Sequence, residues 1–552
     1  MEKTLLWFEF SAAVLLVHAT IAACIARLSR RTVRWVLYTL LCLPGLVGFG
    51  LLTAFVARWR FGFGAVHFPI YYVALLAAVY LTGIAVVAWK GMRTPRGSVE
   101  PLAANWPRGK LAVAAAVAVV LQTTTFSNLD LAVRERITRW QLEAAALAQS
   151  VAPSRPADSE NAAPLYLEAI HNLKADPAND FQAWLEPARG DSPLNLNDPV
   201  LRKFLTRHEA DVKTLREAAG RPRCYFVREY GRPRVDIRLP ETQDMRFVAV
   251  MLHLHARVRA ADGDLKTAAQ DISAMFALSR HVTEEPFLVS GLVAAAIHSI
   301  TTRTLAEVLG STRPTEEQLA AFQIPGDLSF GRLVRRCMIF EEAMAVGGSV
   351  EMLADPLPGE AEDVFAPATV VLTPGASRRR WPDPLGMPLP LSPRIRVLLP
   401  QYRVFLLPHE VLALRNGFQD FRNSSLLLSD GLPGSYRRFR ESVEMVQSEM
   451  QSKRAGLLPP LVWPGLWSFV VDFQVADTRT DLARLVLAAA RYRAKNGKLP
   501  DRLGGLVPQY IPAVPIDAFS AQPIQLHIEK NAWTVSSAGT DEAGKPIQLT
   551  LH

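Results

Sequence analysis

Four histidines, two acidic pairs and two cysteines are the residues best suited to chemistry in this chain, and their spacing decides what they could do. His253 and His255 stand two apart in a helical stretch, a separation that turns them roughly 200° from one another about the axis. From a regular helix they cannot share a metal. His281 and His298 fall on other helical runs, where a packing role is expected. Glu284-Glu285 and Glu341-Glu342 are sequence neighbours, and neighbouring positions on a helix do not face each other. Neither pair supplies the opposed carboxylates of general acid–base catalysis. Cys224 and Cys337 lie far apart in sequence and make no disulfide framework, so separate buried thiols are expected. The chain contains no G-x-S-x-G elbow, H-E-x-x-H helix, phosphate loop or C-x-x-C pair. No motif therefore names a catalytic residue or a cofactor, and a pair assembled from distant positions stays open.

The elements that would position these residues begin with four long apolar segments, at about 5–26, 35–57, 68–89 and 110–126. The first three approach the roughly 20 residues a helix needs to cross about 30 Å of hydrocarbon. The fourth is shorter. Trp7, Trp35, Trp59, Trp89 and Trp106 sit at or beside their ends, where an amphipathic ring is best placed. His18 lies in mid-segment without an acidic partner at its depth, which suits a neutral histidine bonded between helices.

Loop charges set the orientation. Arg27, Arg30, Arg31 and Arg34 fill the first loop, Arg58 and Arg60 the second, and Lys90, Arg93, Arg96, Arg108 and Lys110 the third. Positive loops prefer the cytoplasm, so the amino terminus and everything after Phe126 are expected outside it. Residues 1–110 hold twelve basic and three acidic side chains, which accounts for the whole net charge of +9. The remainder of the chain is neutral, and a nucleic-acid partner is excluded on that ground. Ile21-Ala22-Ala23-Cys24 resembles a lipoprotein cleavage box, but Glu2 cancels Lys3 and Glu9 enters the apolar core, unlike a signal peptide.

Beyond the anchor the periodicity is helical, at about 129–151, 161–174, 247–261, 265–282, 287–309, 316–322, 328–353, 408–421 and 434–453. Asp262-Gly263-Asp264 supplies the turn of an αα-hairpin, and Leu252, Ala256, Gly263, Ala268 and Ile272 resemble one tetratricopeptide repeat. Stable arrays need about three repeats, so an ordinary hairpin is expected. Ten prolines between Ala354 and Pro400 interrupt regular structure. Arg378-Arg379-Arg380 beside Trp381 in that stretch is expected to be solvated charge.

From Asp477 to Lys495 an amphipathic helix is expected, stopped at Asn496-Gly497. The period then changes to two at Ile524, Leu526 and Ile528, at Trp533 and Val535, and at Ile547, Leu549 and Leu551, with a turn at Lys530-Asn531. These predict three antiparallel strands with a helix across one face.

The order of this ending resembles the carboxy-terminal part of type II secretion pseudopilins, particularly the G-type subunit. It runs over 475–546 through Tyr492, Asn496-Gly497, Leu499-Pro500, Leu506-Val507-Pro508, Tyr510-Ile511-Pro512, Pro515, Asp517, Pro523, Trp533 to Ser537, Gly539, Asp541 and Gly544. The resemblance implies a fold and an extracytoplasmic setting. Filament assembly is less strongly implied, because the helix from Asp477 is amphipathic rather than a hydrophobic pilin stem. Some pseudopilins bind calcium near this end, which makes Asp541 and Glu542 candidate ligands. Two carboxylates fall short of the six to eight oxygens calcium takes, so a solvated turn is expected.

The sequence thus predicts a membrane protein with an N-terminal bundle of four transmembrane helices, a mainly α-helical soluble body and a small C-terminal α+β module. The divisions are an anchor at 1–128, a helical domain at 129–353, a proline-rich linker at 354–400, a helical continuation at 401–474 and the module at 475–552. The expected setting is the cytoplasmic membrane, with the bilayer and envelope proteins or polymers as partners. A non-enzymatic scaffold is the favoured reading and a membrane-tethered hydrolase or transferase the alternative, with no cofactor expected in either.

Overall fold

The computed structural model describes residues 135–176, 184, 194–233, 237, 239–325, 330–354, 407–429, 435–451, 466–529, 532–541 and 544–552. The four apolar segments, the lipoprotein-like box, the proline-rich stretch and Glu542 lie outside the described residues. Two compact units divide the chain, one of Met1–Arg139 with Arg380–His409 and one of Trp140–Arg379 with Glu410–His552. The second unit carries the architecture described below, apart from residues 135–139 and 407–409.

Its helices, in order, are α1 (135–151, whose first turn belongs to the first unit), α2 (Ala163–Ala175), α3 (Pro199–Arg207), α4 (Glu209–Gly220), α5 (Pro240–Ala261), α6 (Leu265–Val282) and α7 (Leu288–Ser311). There follow α8 (Glu316–Leu319), α9 (Phe330–Ala354), α10 (Leu407–Ser429), α11 (Ser435–Gln451) and α12 (Leu466–Asn496). A 3-10 turn at Leu503–Leu506 leads to β1 (Gln525–Glu529), β2 (Ala532–Thr540) and β3 (Pro546–Leu551).

Local chemistry explains most of the boundaries. In the α5–α6 hairpin Gly263 takes φ 84°, a left-handed value that glycine adopts without a Cβ penalty. Asp264 then caps α6, its carboxylate accepting from the Thr267 N–H. Arg202 of α3 makes a two-pronged contact to Asp262 in the same turn, tying α3 to the hairpin. The α12 helix ends where expected: Gly497 has φ 77° and its N–H bonds the Arg493 carbonyl at 2.8 Å.

α3 and α4 escaped the periodicity reading. Each is short, at 9 and 12 residues, and is fixed by packing and by the Asp198 cap rather than by a long apolar stripe. α12 is longer than its sequence signal, beginning at Leu466 and running unbroken past 475. Phe469, Val470, Phe473 and Val475 are buried along its early turns.

α7 is the helix among the described residues that is long and apolar enough to cross a membrane. It is a core helix here, packed on α5, α6, α9, α12 and β3, with 72% of its apolar window buried. Thr301, Thr302 and Thr304 are tolerated inside that core because each hydroxyl bonds a carbonyl of its own helix.

The sheet has the order β1-β2-β3 and is antiparallel throughout, as the period-two pattern predicts. Trp533 stands opposite Ile528 on one side and Leu551 on the other. Its inner residues Trp533, Val535, Ile547, Leu549 and Leu551 share one apolar core with Ala256 of α5, Ile272 of α6, Leu305 of α7 and Leu485 of α12. The C-terminal module is thus built onto the helical body. Close approach at this junction is explicit at Gly310 of α7, where an added Cβ would stand 3.3 Å from the His552 backbone nitrogen.

Candidate functional site

The histidines separate into two kinds by what their nitrogens meet. His281 donates from Nε2 to the Arg221 carbonyl at 2.9 Å, so its Nδ1 accepts from the Tyr166 hydroxyl, also at 2.9 Å. Burial lowers this imidazole to about 4 and raises the Tyr166 phenol well above its usual range. The ring is neutral, with one defined tautomer.

The same logic fixes two more rings. The Thr480 hydroxyl is spent on the Ala476 carbonyl, so His298 Nε2–H donates to Thr480 Oγ1 at 2.7 Å. The ring sits edge-on to Phe276 and Phe330, and burial drops it to about 3. The Thr304 hydroxyl is spent on the Ile300 carbonyl, so His253 Nδ1–H donates to Thr304 Oγ1 at 2.8 Å. Burial, and then the charges of Arg303 and Arg257, hold His253 well below the imidazole range. These three rings are structural hydrogen-bonding elements of the core.

His255 belongs to the second kind. From α5 it reaches Asp271 of α6 through Nδ1 at 2.6 Å and Glu209 of α4 through Nε2 at 3.2 Å. Arg216 donates to Asp271 at 2.7 Å, and Arg259 donates both to His255 Nε2 and to Glu209. Asp271 is fully buried, whereas Glu209 is 46% exposed, so the assembly runs from the core to the surface. Next to Glu209, His208 places Nδ1 2.6 Å from Asp211 and Nε2 3.0 Å from Asp176. Asp176 also receives Arg207, and Asp211 receives Asn172. Chemically, the Asp271–His255 pair is a carboxylate-oriented imidazole, and its Nε2, which accepts from Arg259, is the nitrogen turned toward Glu209 and the surface.

The acidic pairs do not act as pairs. Glu284 accepts from Arg223 Nε and the Cys224 N–H, and burial raises its carboxyl. Glu285 accepts from Arg228, Thr242 and Ser290. Arg336 completes this corner by donating to the Val151, Thr283 and Glu284 carbonyls. Glu341 accepts from the Leu288 N–H, while Glu342 is ion-paired with Arg422. Cys224 and Cys337 are both free and buried, and burial raises both thiols.

Asp541, a calcium candidate, accepts from the Lys545 N–H at 2.8 Å in the β2–β3 turn, and Arg479 lies within its electrostatic reach. Its partner Glu542 is outside the described residues, among which no group of three His, Cys, Asp or Glu side chains has metal-binding geometry. Asp517, named in sequence only as part of an order of residues, is the more connected acid. It is 2% exposed and accepts from the Ser520 N–H and Oγ, Ser537 Oγ and the Ala538 N–H. A cleft of about 200 Å³ between α1, α9 and α10 is lined by Glu143, Leu147, Glu342, Val346 and Arg415.

Glu209, Asp271, Arg216, His208 and Asp176 were not found by sequence reasoning. Their only shared signal is opposite charge at positions far apart in the chain, which pairing in space alone reveals. No protein-family model, no curated protein and no solved structure matches this chain.

Proposed function

We propose that this protein is a membrane-anchored scaffold of the bacterial envelope, held by its apolar first quarter and presenting its helical body outside the cytoplasm. The reading rests on one observation: the side chains best suited to chemistry spend their hydrogen bonds on joining helices. Three histidines are neutral core elements, and Glu284, Glu285 and Glu342 each hold an arginine of another segment. Such a body is a fixed platform, and its partners are envelope proteins or polymers. The pseudopilin-like order of the ending favours the same side of the membrane. Its shared core with α5, α6, α7 and α12 favours a permanent part of the platform over a filament subunit.

Reporter fusions after Lys110 and at His552 test the placement, with Lys110 expected in the cytoplasm and His552 outside. Both reporters in the cytoplasm would remove the envelope reading.

The alternative, a membrane-tethered hydrolase or transferase, is favoured by the carboxylate-oriented imidazole of His255 on Asp271, which lies beside half-exposed Glu209. Purified protein offered generic ester and phosphoester substrates then shows turnover that His255→Asn lowers at least 100-fold, the scale of a lost general base. Equal rates for both proteins count against this alternative.

A further inference from the structure

The two edges of the terminal sheet are finished differently. On the β3 side the sheet meets α7, where an added Cβ at Gly310 would stand 3.8 Å from the outward Thr550 carbonyl oxygen. On the β1 side the backbone groups stay open. Those of an antiparallel strand alternate between its two neighbours. Just before β1, Ile524 sends its N–H away from β2 to the Pro515 carbonyl at 3.2 Å, and the Gln522 carbonyl accepts from the Asp517 N–H at 2.7 Å. By the same alternation Leu526 and Ile528 turn outward, while Gln525, His527 and Glu529 face Ser536, Thr534 and Ala532 of β2. The Thr534 and Thr550 hydroxyls meet at 2.9 Å, the close side-chain approach of a pair that exchanges no backbone bonds, in agreement with Thr534 bonding His527. Among the described residues, the N–H and C=O groups of Leu526 and Ile528 have no hydrogen-bond partner.

This open stretch is unguarded and apolar. β1 runs Gln525-Leu526-His527-Ile528-Glu529 in unbroken register, without the proline, lysine or bulge that keeps sheet edges from pairing. Ile528 is 55% exposed although it stands opposite buried Trp533. The apolar row Leu551–Trp533–Ile528 therefore runs to the edge and ends in solvent. Leu526, on the same face as Ile528, packs on the core.

We propose that β1 pairs antiparallel with β1 of a second copy of this chain, joining two three-stranded sheets about a two-fold axis.

The strand is complementary to itself in one register. With His527 facing His527 of the second copy, Leu526 lies opposite Ile528 of that copy, and each such pair exchanges both of its outward backbone bonds. The Gln525 amide then meets the Glu529 carboxylate, a donor against an acceptor. The apolar row continues from Ile528 into Leu526, Val535 and Leu549 of the second copy. β1 offers five residues, against roughly 20–30 a side in a standard interface, so the contact is weak between free molecules. Pairing therefore rests on the membrane-anchored reading above, since two chains confined to one bilayer have the raised effective concentration that a small contact needs.

Disulfide trapping of the full chain in fractionated cells tests the pairing. The two His527 residues would form a pair without mutual backbone bonds, with Cα atoms about 4.5 Å apart, inside the roughly 4.4–6.8 Å that a disulfide spans. Cys24 and Cys42 are replaced by serine, and Cys224 and Cys337 are buried. In that background His527→Cys, treated with a mild oxidant, is expected to give a reducible band of twice the chain mass. The band is expected to be roughly five-fold or more stronger than for Gln548→Cys, an exposed position on β3. Adding Ile528→Pro or Ile528→Lys is expected to weaken it roughly five-fold or more. Both changes spare the β1–β2 bonds, because the backbone groups of residue 528 face outward. Equal trapping at 527 and 548, trapping indifferent to both changes at 528, or a trapped band of another mass overturns self-pairing. Recovery of the chain in the soluble fraction removes the anchor reading instead, and the bands are then scored in that fraction by the same criteria.

Discussion

Replacing Glu285 with alanine is expected to cost about 3 kcal/mol and to lower the melting point of the full chain by about 5 °C. Glu285 is 3% exposed at its side chain and Arg228, its partner at 2.5 Å, is 6% exposed. Removing the carboxylate takes one ion-pair partner from the guanidinium, which also meets Glu241 at 3.0 Å. It also strips an acceptor from the buried Thr242 and Ser290 hydroxyls. A broken buried pair is costly because the surviving charge stays desolvated. The segment affected is the turn between α6 and α7, so the loss loosens the start of the central helix. Glu285→Gln retains one acceptor and should recover part of the loss. An alanine variant that melts with the wild type would show that this corner contributes nothing net.

Trp533→Ala is expected to cost about 3–5 kcal/mol, the range for truncating a large buried aromatic. Trp533 is 2% exposed and its indole N–H donates to the Pro500 carbonyl at 3.0 Å. The ring fills the layer shared by the sheet and by α5, α6, α7 and α12. Its loss should therefore be felt beyond the sheet. Hydrogen exchange of the Leu549 and Leu551 amides in β3 and of the Leu305 amide in α7 is expected to speed up together. Faster exchange confined to the strands would show a module that folds on its own, and the single shared core would be wrong.

These two residues illustrate how legible the site and the fold were. Trp533 could be placed from sequence because it lies on an alternating strand whose neighbours Val535, Leu549 and Leu551 share one face, and period two is a local property. The partner of Glu285 could not, since Arg228 stands 57 positions away and charge carries no address. The same limit hid the Asp271–His255–Glu209 assembly. Its members come from three helices, and α4 has too short an apolar stripe to declare itself.

Alone, the sequence determined what depends on near neighbours. It placed the α5–α6 hairpin through Gly263, the end of α12 through Gly497, the three antiparallel strands, and the concentration of positive charge in the first 110 residues. Tertiary structure decided which apolar faces meet, and so made the terminal module part of the body. It also decided the state of each histidine. A tautomer is set by what the opposing group can donate or accept, and for His253, His281 and His298 that group arrives from 51, 60 and 182 positions away.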